Sequence, residues 1–237
     1  MQENKLTMMI QGHEIWIEES KAEQGGPELA LVYGHNMRQD GLASRERLKA
    51  FAYTPDGTRI DLDLIPDNNR YLLKLNAQRG GYYTAVVDLG MIVFSQTKEG
   101  YEVGPRSQFK DVIYAGAFHQ MAKYIYSAGS DGEFHGKVVH GILEIVPGKP
   151  WCQVGQDIEL QVFYEGKPLA SAEIKAVSKQ EGREMAFVKT DEHGIAHIPI
   201  TAPGEWMFLV RHIDSSKKVS EEFDESVFVS TLVMEAR

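Results

Sequence analysis

Period-two alternation of apolar and polar residues dominates the chain. His13-Glu14-Ile15-Trp16-Ile17-Glu18 reads as a strand, and Leu29 to His35 reads as another after the Gly25-Gly26-Pro27 loop. Arg47 to Tyr53 is a third, closed by the turn Thr54-Pro55-Asp56-Gly57. Short strands follow near Asp61–Leu64, Tyr71–Leu75, Gly81–Leu89 and Gly90–Gln96. In the second half strands are expected at Ile142–Val146, Gly155–Tyr164, Glu173–Ser178, Ile195–Ile200, Glu205–His212 and Ser226–Glu235. Turn signals such as Glu165-Gly166-Lys167-Pro168 and Thr190-Asp191-Glu192-His193-Gly194 recur at sandwich spacing. One segment, Ala115–Tyr126, fits a short helix with Phe118, Met121, Ala122 and Ile125 on one face, or else a strand. The expectation is an all-β protein of two β-sandwich domains of immunoglobulin or transthyretin-like type, with at most one short helix. Their expected extents are 1–136 and 137–237, divided near the Asp131-Gly132 turn region.

Composition narrows the partners. The 237 residues carry a net charge of -9, which repels nucleic acid and anionic lipid, and no basic run offsets it. No apolar run is long enough to span a membrane as a helix. Cys152 is the single cysteine, so no internal disulfide exists. Residues 1–12 lack the pattern of a signal peptide and read as the remainder of a trimmed leader or as a natural start.

Catalytic signatures are missing. There is no Gly-x-Ser-x-Gly elbow, phosphate loop or dinucleotide fingerprint, so no enzyme is expected. Asp61 and Asp63 alternate with leucines, as on the wet face of a strand. A hydrolase using a metal-bound water would need a carboxylate base, and only Glu14 and Asp214 lie near histidines in sequence.

The eight histidines carry the most chemistry. If the first two strands form a hairpin, residues whose numbers sum to about 48 or 49 face each other, which sets His13 opposite His35 or Asn36. Ile15 and Ile17 then share the inward face with Leu31 and Tyr33, and both imidazoles sit at one end of the sheet. Opposed strand residues are close enough for two rings to share an ion. His212 shares a strand face with Trp206, Phe208 and Val210, and Asp214 is placed to orient it. His119 lies in the ambiguous segment and ranks fourth as a ligand. His135 and His140 differ by an odd number and would face opposite ways on one strand; His193 is a turn residue and His197 points to solvent. Met8 and Met9 offer thioethers but read as leader. Trp16 and Trp206 could floor a groove, although core packing explains them better.

The chain resembles a known family through an ordered set of segments. These are Gly12-His13-Glu14-Ile15-Trp16, Leu31-Val32-Tyr33-Gly34-His35-Asn36, Leu143-Glu144-Ile145-Val146-Pro147, Tyr164 to Leu169, Thr190 to Gly194, Pro203-Gly204-Glu205-Trp206 and Arg211-His212. Together they are similar to the NikM-like family of exported domains associated with nickel and cobalt uptake. The resemblance implies a signal peptide, a first histidine near the mature N-terminus, matched by His13, and a second at the end of the next strand, matched by His35. It implies an extracytoplasmic, periplasmic protein that carries Ni²⁺ or Co²⁺ as cargo to an energy-coupling-factor transporter. The expected metal ligands are His13 and His35, with His212 and His119 completing the shell, and affinity should fall below about pH 6.5 as imidazoles protonate. The alternative is a structural or adhesion-type sandwich that binds a partner protein or glycan without metal.

Overall fold

The computed structural model describes residues 13–20, 28–129, 132 and 134–237. Met8, Met9, the Gly25-Gly26-Pro27 loop and Asp131 lie outside the described residues. The first half contains β1 (Glu14–Ser20), β2 (Glu28–His35), β3 (Arg38–Gly41), β4 (Lys49–Tyr53), β5 (Arg59–Asp61), β6 (Leu64–Asp67), β7 (Arg70–Lys74), β8 (Gly81–Thr97), β9 (Tyr101–Val103) and β10 (Val112–Ala128). The second contains β11 (Leu143–Pro147), β12 (Asp157–Tyr164), β13 (Lys167–Pro168), β14 (Glu173–Ser178), β15 (Arg183–Lys189), β16 (Ile195–Pro199), β17 (Gly204–Asp214) and β18 (Glu225–Ala236). Helical structure among the described residues is limited to 3₁₀ turns at Arg45–Arg47, Arg106–Gln108 and Ser215–Lys217. The segment 115–126 is therefore strand. Its apolar residues fall on both faces because both faces are covered.

The strands form three sheets. A nine-stranded sheet runs β15-β14-β17-β18-β10-β8-β4-β5, with β9 on β8. A five-stranded sheet, β1-β2-β7-β6 with β3 on β2, covers one face, and a four-stranded sheet of β11, β12, β13 and β16 covers the other. The cores show this layering residue by residue. Tyr124, Met207 and Val233 point into the first core, while their neighbours Ile125, Phe208 and Leu232 point into the second. A strand buried on both faces needs an unbroken apolar run rather than alternation. Val227 to Met234 on β18 is buried throughout for this reason. The result is two β-sandwiches that share a middle sheet, and residue 136 falls in the connection between β10 and β11.

The two halves meet where β18 lies parallel to β10, from Gly116 opposite Glu225 to Tyr124 opposite Val233. The link from β10 to β11 is pinned beside it by a buried ion pair. Lys123 is fully enclosed on β10 and its Nζ donates to Glu144 Oε1 at 2.8 Å, to the Lys137 carbonyl at 2.9 Å and to the Ile145 carbonyl at 3.0 Å. Glu144 in turn accepts from the backbone N–H of Val139 and of Gly141. Every ammonium proton has a partner, so the charge is tolerated in the interior. Burial pulls the Lys123 pKa down, and the Glu144 carboxylate opposes the fall. Glu144→Ala leaves that ammonium without its counter-ion and should cost about 3–5 kcal/mol in urea unfolding. The double variant Lys123→Met/Glu144→Gln should recover a large part of the loss.

Candidate metal centre

The site begins with the β1–β2 hairpin. Glu14 pairs with Gly34, Ile15 with Tyr33 and Ile17 with Leu31, so every pair sums to 48. Continuing that register brings His13 beside His35, and the ring centroids are 3.9 Å apart. Trp16 departs from simple alternation: it is as completely buried as Ile15 and Ile17, because β1 also packs against the middle sheet. The start of β1 is clamped there by Gln120 of β10. Its amide Nε2 donates to the His13 carbonyl at 3.0 Å and its Oε1 accepts from Ile15 N–H at 3.1 Å. Thr231 Oγ1 donates to the Ile15 carbonyl at 2.8 Å. The His13 ring stacks on Tyr33 with centroids 4.8 Å apart and planes 12° from parallel.

A third group joins the rings. β2 turns into β3 through a two-residue loop, with Asn36 at φ 50° and Met37 at φ 60°. Both central residues adopt the left-handed region, as a type I′ hairpin loop demands. Glu14 Oε1 accepts from Asn36 N–H at 2.6 Å and Lys175 donates to the Asn36 side chain at 2.8 Å, which holds the loop against the second half. The Glu14 pKa is raised by its burial, with Lys175 pulling it back. The β2–β3 register slips next to the loop. Gly34 pairs with Gln39 and Tyr33 with Gly41, so Asp40 is the extra residue of a bulge. A side chain at Gly34 would overlap the Arg38 carbonyl oxygen, so only glycine permits this approach.

The bulge delivers Asp40 to both imidazoles. Asp40 Oδ2 lies 2.5 Å from His35 Nδ1, and Oδ1 lies 3.1 Å from His13 Nε2. One donor atom from each of His13, His35 and Asp40 falls within 4.8 Å of the other two. The remaining His35 nitrogen, Nε2, is buried with no hydrogen-bond partner among the described residues. The cluster borders a cleft lined by Arg38, Gly182, Arg183 and Glu184, and Arg38 donates to the Gly182 carbonyl at 2.8 Å.

His119 and His212 do not join this cluster. His212 pairs with Phe228, and Phe228 with His119, which sets both histidines in one row across the middle sheet. Gln120 points toward His13, so its neighbour His119 points the opposite way. His119 Nε2 lies 3.1 Å from Asp88 Oδ1. His212 lies against Tyr164 with ring centroids 4.4 Å apart. Asp214 does not orient His212 by a hydrogen bond: its carboxylate accepts from the Tyr164 hydroxyl at 2.7 Å and from Ser216. His193 and His197 are exposed. Trp16 and Trp206 are wholly core residues. Asp40 escaped sequence reasoning because nothing in His35-Asn36-Met37-Arg38 announces a bulge, although Gly34 and Gly41 on either side are its signature.

Fold and site together define a β-sandwich protein with a His-His-Asp cluster at one end of its outer sheet. The chain belongs to the family described as "Domain of unknown function (DUF4198)", which matches residues 10–214. No curated protein matches it. Among solved structures it is similar to a two fibronectin type-III domain segment from chicken tenascin, with 13% identity, 95% of this chain and 99% of that chain covered, and a TM-score of 0.27. It is also similar to the D0-D1 domain of intimin, with 12% identity, 93% and 97% covered, and a TM-score of 0.23. Another such structure is native alpha-2-macroglobulin from Escherichia coli spanning domains MG0-NIE-MG1, with 10% identity, 98% and 99% covered, and a TM-score of 0.25.

Two outcomes test these local arguments. Gly34→Ala should expel the bulge and cost about 1–3 kcal/mol, with the largest NMR shift changes at Arg38 and Asp40. Burial lowers the His212 pKa below its ordinary value of 6.5, with Asp214 opposing. The unfolded chain therefore binds this proton more readily. The stability associated with neutral His212 is complete above the ordinary histidine range and is lost as pH falls toward the lower folded value. His212→Gln should remove that part of the acid-side loss in unfolding curves taken from pH 7.5 to about 5.

Proposed function

We propose that this protein binds a divalent transition-metal ion, Ni²⁺ or Co²⁺, through His13, His35 and Asp40, and supplies it outside the cytoplasm to an uptake transporter of the energy-coupling-factor type. The observation that carries the reading is that a nitrogen from each of two imidazoles and a carboxylate oxygen lie within 4.8 Å of one another. Imidazole with carboxylate and water suits first-row ions of this kind. Asp40 accepts from both rings when they carry protons, and an ion would take the place of those protons. Three protein donors leave coordination positions for water or for the groups of an acceptor. An ion held in that way can be passed on, whereas a closed four-ligand site retains it. The cleft beside His35 and Asp40 gives the approach.

The test is a titration of chelator-stripped protein with Ni²⁺, Co²⁺ and Zn²⁺ by calorimetry, with visible absorption for Co²⁺. One ion per chain should bind, and His35→Ala or Asp40→Ala should weaken it by about tenfold to a hundredfold, the range seen when a ligand's supporting shell is lost, or more. His119→Ala and His212→Ala should leave the affinity unchanged. Absence of binding, or binding that ignores the His35 and Asp40 variants, would overturn the proposal and favour a metal-free interaction module.

A further inference from the structure

A second, mainly apolar cavity lies on the other side of His13, and the metal reading does not use it. It encloses about 430 Å³ between the 3₁₀ turn at Arg45–Arg47 and the middle sheet. Its walls are Leu89, Ile92, Phe94, Phe118 and Val229, and Phe94 meets Phe118 edge to face with centroids 5.8 Å apart. Leu42 and Val103 line it too and remain 47% and 64% exposed, so its mouth is apolar as well. A volume of this size suits one small organic molecule rather than a chain or a membrane.

Three charged side chains, Glu46, Arg47 and Arg211, interrupt the apolar lining, and Arg47 is the informative one. Arg47 Nη2 donates to the Gly90 carbonyl at 3.0 Å, and no carboxylate of the described residues contributes to its environment. Burial alone acts on its pKa, in the downward direction. A guanidinium offers about five N–H donors, and among the described residues only this one bond is made. Glu46 also lines the cavity but forms no ion pair with Arg47. A half-buried cation without a counter-ion is costly, and a bound anion removes that cost. Arg211 adds a second guanidinium to the lining.

We propose that this cavity binds a small amphipathic organic anion, a carboxylate with an apolar body such as a medium-chain fatty acid, with Arg47 holding the carboxylate and Phe94 and Phe118 packing against the body. The inference stands apart from the metal reading, although His13 and Tyr33 border both sites.

The probe is 8-anilinonaphthalene-1-sulfonate, an apolar anion whose fluorescence rises on burial, added to the full chain in excess chelator. One dye per chain should bind and be displaced by decanoate, with decylamine weaker by about tenfold or more, one factor of ten being about 1.4 kcal/mol. Arg47→Gln should weaken decanoate by a similar factor and leave decanol unchanged. Leu42→Trp, at an exposed position, should narrow the mouth and weaken decanoate and decanol alike. His35→Ala should change none of this, which separates the result from that of the metal titration. The proposal is overturned if the folded protein does not bind the dye, if decylamine competes as well as decanoate, or if Arg47→Gln has no effect while its circular dichroism matches that of the parent.

Discussion

The parallel pairing of β18 with β10 is the constraint on which the rest of the molecule depends. The last strand of the chain returns beside a strand of the first half and joins the two halves into one sheet. Both cores are built on that sheet, one on each face. β18 supplies Val233 to one core and Phe228, Leu232 and Met234 to the other. It also supplies Thr231, whose hydroxyl holds the backbone of β1. The candidate metal centre near the beginning of the chain is thus positioned by a strand near its end.

Charge inside such a structure is tolerated only where its partners are complete. Lys123 meets that condition within the fold, with three acceptors and no solvent contact. The His13-His35-Asp40 cluster lies nearer the surface, where the carboxylate can be shared between two rings or between the rings and an ion. Arg47 does not meet it, having one carbonyl and no carboxylate among the described residues. The three cases form a series. The complete pair serves the fold, the shared carboxylate carries the metal proposal, and the guanidinium without a carboxylate partner carries the proposal of an organic anion.

The all-β class was legible because alternation and turn residues survive on strands with one wet face, such as β12, where Asp157 and Glu159 alternate with buried Ile158 and Leu160. The hairpin register was legible because a stiff strand fixes which residues face each other, and His13 and His35 followed from it. What could not be read was how the middle sheet is covered on both faces. Residues 115–126 resembled a helix because a strand covered on both sides loses its period. The placement of His119 and His212 was missed for the same reason: their faces were set by strands far away in sequence, and the covering four-stranded sheet gave His212 a tyrosine to pack against. Asp40 was missed because a bulge depends on backbone geometry, and its only trace in the sequence is a pair of glycines.

His13 belongs to two environments at once. Its Nε2 faces Asp40 in the cluster, while its ring lies flat on Tyr33, and both residues border the apolar cavity. The backbone at this point is not free to move, since Gln120 clamps it from the middle sheet. Tyr33 pairs with Gly41, immediately after Asp40. Gly41 leaves little slack, because a side chain there would press on the Tyr33 ring. The cluster and the apolar cavity thus share one stacked pair of rings, His13 on Tyr33, as a common wall.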